Sequence, residues 1–431
     1  MNINSRRFLY LTVGFVLLLL TGLIYAWSIF IVPLENEFGW VRKDTSTIFT
    51  ITMASFCIGG MVNGFIIGRT SPRFTLCIAA ILFFVGFFFA SRTETLWQIF
   101  LSYGVFIGFG VGLVYNTIIS TITKWFPDRK GFASGVSLMG FGLGGFILGT
   151  VASMILEVSD WRLVFIVFAI AFPILVLASS FIIRIPQTIE IDNLPKPKAA
   201  KTASAGSDET KVLTGSDEAK TKEITAKPAK DINTVGMLKT PVFWLFFLWT
   251  LLLSAAGLMV IGHASPISEA FISSPRLIGF AVGLVTICNG VARVIYGMMF
   301  DRFGIVKSIY AVALNAVIAS ITMVCAIGTG SLALMIIGFI LTGGFYGGAP
   351  TTNSTFVMAQ FGQKNFAANF SVVNLNLLIA PILGTYIAAA LYDSTGTYLK
   401  ASGVMVGYAA VATLLSFIIN RLVRKSRKKD S

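Results

Sequence analysis

Residues Thr286–Gly304 read TICNGVARVIYGMMFDRFG. Up to Phe300 they belong to an apolar run, 277–300, long enough to cross a hydrocarbon core of roughly 30 Å. A charged turn, Asp301-Arg302, ends it. Arg293 interrupts the run, with Asn289 four residues earlier on the same helical face. A permanent cation at that depth costs about 2.5–3.5 kcal/mol on insertion scales. Snorkelling offers no escape, because Asp301 lies about 12 Å further along a helix rising 1.5 Å per residue. Arg293 therefore needs a partner, and a mobile anion is the simplest one. Its planar fork suits a carboxylate through two parallel hydrogen bonds, and the Asn289 amide can donate to the same group. The competing reading has the guanidinium bonded to backbone carbonyls in a helix contact.

The rest of the chain is of the same material. It is 55% hydrophobic and 12% charged, half the charge of a soluble domain, which carries about 25%. Twelve apolar segments are legible, among them 8–33, 46–68, 96–123, 131–157, 277–300, 305–327, 331–358, 366–392 and 401–421, and no alternating strand pattern competes with them. The first is too long for a signal-peptide core and is read as a membrane helix. The expected fold class is an all-α membrane protein with 12 transmembrane helices in two pseudo-symmetric six-helix bundles. An N-terminal bundle covers 1–185 and a C-terminal bundle 240–422. Between them, 186–239 is rich in Lys, Ala, Thr, Ser, Asp and Glu and reads as a disordered linker on the cytoplasmic side. Residues 423–431 form a basic tail that reads either as a contact for anionic lipid or as a simple stop-transfer anchor.

The halves repeat each other. GFIIGRTSPR from Gly64 resembles GMMFDRFG from Gly297, pairing Arg69 with Arg302. WFPDRKGFASG from Trp125 resembles QFGQKNFAANF from Gln360 at nearly the same offset. If the N-terminus is cytoplasmic, 26 Lys and Arg fall on the inner side and six on the outer, which places both termini and the linker inside a cell membrane. That asymmetry explains the net charge of +14 without nucleic acid. The four cysteines lie in apolar runs without Cys-x-x-Cys or a nearby histidine, so no metal, cofactor or disulfide framework is expected. The absence of a Ser–His–Asp set or P-loop argues against an enzyme.

Other side chains are candidates with two open readings each. Tyr115, in GFGVGLVYNTII, either meets substrate or makes a structural hydrogen bond. Tyr25, Phe345 and Tyr346 either line a cavity or pack the core. Asn374 and Asn376 project to different faces, so at most one looks inward. His263 either gates or carries a proton, or is a satisfied helix-end group. Glycines at 104, 108 and 112, at 140 and 144, and at 145 and 149 let helices approach closely. Pro173, Pro350 and Pro381 are expected to kink their helices.

The twelve segments and the G-x-x-x-D-R-x-G turn of Gly297, Asp301, Arg302 and Gly304 resemble the major facilitator superfamily. YAWSIFIVPLENEFGW, KWFPDRKGFASG and FGQKNFAANF narrow the resemblance to the oxalate/formate antiporter family and the related monocarboxylate transporters. The resemblance implies the major facilitator fold, a secondary transporter working by symport or antiport, and a helix-8 arginine that binds the substrate carboxylate, here Arg293. It implies a helix-4 tyrosine ligand, here Tyr115, and a gating motif at Gly297, Asp301, Arg302 and Gly304 with Arg69 as its first-half counterpart. Gly68 stands where the first-half copy would hold an acid. Oxalate exchange in this family goes with a second cation in helix 11, where this chain offers Asn or Leu. Monocarboxylate transporters coupled to protons hold an aspartate where Asn289 stands. The expected cargo is therefore a small monocarboxylate such as lactate or pyruvate, with protons as a possible co-substrate and the protein a monomer. An oxalate/formate or other dicarboxylate antiporter is the alternative, and a non-transporting sensor on the same fold a distant one.

Overall fold

The computed structural model describes residues 3–40, 42–67, 69–187, 190 and 231–429. Of the expected linker, 188–189 and 191–230 lie outside the described residues; Gly68 does too. Among the described residues, eleven helices are long and apolar enough to cross a membrane. They are α1 (Ile3–Ala26), α2 (Thr47–Ile66), α3 (Pro72–Ala90), α4 (Leu96–Trp125), α5 (Lys130–Val158), α6 (Trp161–Ile182), α7 (Pro241–Ile261), Leu277–Thr329, α10 (Leu332–Phe361), α11 (Phe366–Tyr392) and α12 (Leu399–Arg424). The eighth is a double span. Its helix, Pro275–Thr329, breaks at Gly304, where φ is 76°, giving α8 (275–303) and α9 (305–329). That raises the number of crossings to twelve.

Local chemistry sets the boundaries. Ser71 accepts from the Phe74 N–H ahead of Pro72, and Asp160 accepts from the Leu163 N–H, satisfying donors that a helix start leaves unpaired. Thr240 does the same for α7, again before a proline. Two expected ends move. The last helix continues through Lys429, because Arg and Lys are good helix formers. The last nine residues of the expected linker, 231–239, are docked on the protein: Asp231 accepts from the Gln363 and Lys364 N–H groups at 2.9 and 3.0 Å, and Thr234–Leu238 forms a short helix.

Pairing within each half shows the repeat. α1 packs on α5, α2 on α4 and α3 on α6; in the second half α7 packs on α11, α8 on α10 and α9 on α12. The pairs meet through small residues. On α4, Gly104, Gly108 and Gly112 lie against Ile51, Thr52 and Phe56 of α2. On α5, Gly140 and Gly144 lie against Phe15 and Leu19 of α1, while Gly145 meets Tyr25. In the second half, Gly343 and Gly347 of α10 lie against Val285 and Asn289 of α8. At Gly108, Gly112, Gly140, Gly144, Gly343 and Gly347 a β-carbon would collide with backbone, so these glycines act as spacers.

Two departures from regular helix bear on the site. α1 tightens into a 3₁₀ turn at Gly22–Ala26, where Gly22 presses backbone to backbone on Phe141 and Gly144. This turn carries Tyr25. α11 is interrupted at Leu375 and again after Pro381 by a wider π turn, Ile382–Tyr386, as expected when proline removes a hydrogen-bond donor. Asn374 and Asn376 lie near this break and meet different neighbours. The Asn374 carbonyl accepts from Cys57 of α2, whereas Asn376 accepts from Ser254 of α7.

Candidate functional site

Arg293 sits on α8 where the bundles meet, 1% exposed. Its Nη1 donates to the Leu138 carbonyl of α5 at 2.8 Å, and Nε donates to Asn289 Oδ1 at 3.3 Å. The guanidinium carbon lies 5.7 Å from the Phe141 ring centre, within the range of cation–π attraction. None of the ion pairs among the described residues involves Arg293. Leu138 belongs to the opposite bundle, so the Nη1 bond joins the two halves. The approach depends on glycine: a β-carbon on Gly142 would crowd Nε, and one on Gly135 would collide with the Arg293 carbonyl.

Four of the sequence candidates gather here. Tyr25 pairs its hydroxyl with Tyr346 and also reaches Arg293. Tyr115 lies edge-on to Phe56 and Phe141, at 5.2 and 5.1 Å between ring centres, and stacks at 6.0 Å on Phe370. Asn289 is buried beside Gly347. Phe345 goes elsewhere. One helical step from Tyr346, about 100° at 3.6 residues per turn, turns it into the core, and it shares no ring contact with this group among the described residues.

The arrangement is a cation against an aromatic wall, with three phenols and one amide around it. Its members come from α1, α2, α4, α5, α8, α10 and α11, so both bundles contribute. The sequence reading missed Phe56, Phe141 and Phe370, three of 38 phenylalanines. It also missed the Leu138 carbonyl, which as a backbone group has no signature in sequence.

The expected gating motif lies at the end of the bundles that carries the linker. Asp301 spans the first turn of α5, its two oxygens accepting from Gly131 and Phe132 N–H at 2.8 and 2.7 Å. A carboxylate at a helix N-terminus satisfies unpaired donors and meets the positive end of the helix dipole. Gly131 and Gly297 touch backbone to backbone alongside. Arg302 lies over Phe303, 5.2 Å from the ring centre. Arg69 is exposed, and no side-chain bond of it is found among the described residues. Where the first-half acid would act, the α10–α11 loop instead holds Asp231 from the docked linker end.

At the opposite end, His263 Nδ1 donates to the Met259 carbonyl at 3.1 Å, and its ring lies tilted 5.3 Å from that of Tyr398. Burial holds its pKa below the ordinary histidine value. The ring is thus bonded at the end of α7 and lies at neither the aromatic wall nor the gating motif.

A profile of the Major Facilitator Superfamily matches residues 11–271 and 250–431. Among curated proteins, the chain is 25% identical to the oxalate:formate antiporter of Oxalobacter formigenes, covering 98% of this chain and 94% of that one. It is 23% identical to monocarboxylate transporter 12 of Mus musculus, covering 93% and 82%. Among solved structures, the proton:xylose symporter XylE bound to 6-bromo-6-deoxy-D-glucose superposes with a TM-score of 0.73 at 15% identity, covering 98% of this chain and 97% of that one.

Proposed function

The chain belongs to the major facilitator superfamily, and on that footing we propose that it carries small organic anions, chiefly monocarboxylates such as lactate or pyruvate, with the carboxylate held by Arg293. The observation that supports this is a buried guanidinium without a carboxylate partner among the described residues, set in a polar and aromatic group drawn from both bundles. Beside the Tyr25 hydroxyl, which also reaches it, the arginine fork with its five N–H groups is engaged by one backbone carbonyl and one long amide bond. A carboxylate is a stronger acceptor than either. It would displace the Leu138 carbonyl and release the bond that ties α8 to α5.

Substrate binding and bundle motion are linked in this way. Only a ligand that binds one state better than another shifts an equilibrium. An acid that takes the guanidinium away from α5 has that differential affinity. Asn289 and Tyr25 orient the carboxylate, Tyr115 and Phe141 cover the carbon skeleton, and Tyr346 holds Tyr25 in place. Asn289 is not a proton carrier, so proton coupling would run through the substrate or another group. The termini and linker face the cytoplasm of a cell membrane in this reading, because Lys and Arg concentrate on that side.

A second reading, exchange of oxalate or another dicarboxylate, draws on the name of one relative. A single cation at the aromatic wall favours one carboxylate over two. The test is uptake of labelled lactate into proteoliposomes against a panel of unlabelled mono- and dicarboxylates, with and without a proton gradient. Lactate and pyruvate are expected to compete and oxalate to compete poorly. Strong competition by oxalate with no lactate uptake would replace the first reading by the second.

A further inference from the structure

At the linker end, beside the gating motif, a crevice of about 330 Å³ opens between the bundles. One wall is Gly64 of α2 with Ser120 and Lys124 of α4; the other is Thr234 of the docked linker end with Gln363 and Lys364 of the α10–α11 loop. Phe65 and Val235, both exposed, give it an apolar flank. No Asp or Glu lines it. The carboxylates nearby are already turned elsewhere. Asp231 accepts from the Gln363 and Lys364 N–H groups, Asp301 accepts from the start of α5, and both lie within the field of Lys130. Lys124, half-buried, and Lys364, exposed, make none of the ion pairs among the described residues.

Two ammonium groups facing one crevice, one from each bundle, attract an anion. The volume is at the small end of ligand sites, roughly 300–1,000 Å³, and the apolar flank favours an organic anion over an inorganic one. We propose that this crevice is a second, weaker site for a small organic carboxylate, bridging Lys124 and Lys364 and holding the linker end shut. It is distinct from the Arg293 site: Lys124 lies nine residues beyond Tyr115 on α4, about 13 Å along the axis at 1.5 Å per residue. The bundles must part here for the linker end to open. An anion joining their walls has to leave first, so the occupied crevice slows turnover when carboxylate accumulates on the linker side. The identity of the anion as a carboxylate rests on the proposed function, whereas the crevice and its charge do not.

The test is calorimetric titration of lactate into the detergent-solubilised full chain, comparing the unaltered protein, Arg293→Ala and the double variant Lys124→Gln/Lys364→Gln. The unaltered protein is expected to show two classes of site. The lysine variant keeps the tighter class and weakens the other by about tenfold or more, the usual effect of removing charge-assisted bonds; Arg293→Ala keeps the weaker class. A single class in the unaltered protein, or a weak class untouched by the lysine variant, overturns the inference. If the tight class survives Arg293→Ala while the weak class is lost with the lysines, the crevice stands and the Arg293 reading falls.

Discussion

The two seams between the bundles at the linker end are pseudo-symmetric in shape and differ in chemistry. In one, α5 meets α8: Gly131 lies on Gly297, Gly135 on Arg293, and the Asp301 carboxylate spans the start of α5. In the other, α11 meets α2 and α4: Gly64 lies on Ala367 and Ala368, and the cross-bundle bonds are neutral. Asn116 Nδ2 donates to the Ala367 carbonyl at 3.0 Å, and Gln363 Nε2 donates to the Thr123 carbonyl at 3.3 Å. The duplicated unit kept glycine-to-backbone contact in both seams, but among the described residues a cross-bundle carboxylate serves only the first. Charge-assisted bonds are roughly twice as strong as neutral ones. The α5–α8 seam is therefore the firmer closure, and it is also the one that carries the buried Arg293.

The largest expected effect comes from removing that arginine. Arg293→Ala should abolish lactate uptake while the protein still inserts, since truncating one partner of a buried charge pair costs about 2–5 kcal/mol. Arg293→Lys should recover little, because an ammonium cannot form the two-pronged pairing. Normal uptake by either variant in proteoliposomes would detach the substrate from this seam. Next is Gly131→Ala. Its new methyl group meets the Gly297 carbonyl, and overpacking of this kind costs about 1–3 kcal/mol. Cysteine labelling at the linker end should show the seam opened, and unchanged labelling would mean that the glycines are not what lets the helices close.

Asp301→Asn should shift the balance toward the open linker end by roughly fivefold, equivalent to about 1 kcal/mol for a lost helix cap. Asn116→Ala, in the neutral seam, should do less. It removes one cross-bundle bond but also Oδ1, which is buried without a partner, and the two changes offset each other. Equal effects of the two variants on cysteine accessibility would erase the distinction between the seams. The smallest effect is expected from His263→Gln. Burial lowers the histidine pKa, so the ring stays neutral near pH 7 and protonates only below its depressed pKa. The pH profile of transport should not move, and a shift in that profile would give this ring a role in coupling.

The fold was legible because hydropathy reports burial in lipid directly: the spans follow from it, while the two halves and the turn at Asp301 follow from the polar and charged stretches between them. Arg293 was legible for the opposite reason, since a cation in such a run is costly enough to demand an explanation. Its partner was not. A carbonyl on Leu138 looks like any other, and the competing reading of the guanidinium, a helix contact through backbone oxygen, describes one of its bonds. The aromatic wall was hidden by abundance, and periodicity could not separate Tyr346 from Phe345. The α8–α9 junction was placed at 301–304 from its charges, yet the helix runs on to a single residue, Gly304, whose φ of 76° ends it. Asp231 was lost in a segment read as disordered, because composition averages over a long stretch and one docked carboxylate does not change the average.

The glycine contacts of both seams have a mechanical consequence. Interlocked side chains would have to unlatch one rotamer after another as the halves separate. Gly131, Gly135 and Gly64 present nothing to unlatch. At these glycines the halves meet as smooth bearings, and the resistance to rocking rests with the few cross-bundle bonds of Arg293, Asp301, Asn116 and Gln363. Along these faces, the residues least free to vary are those with no side chain at all.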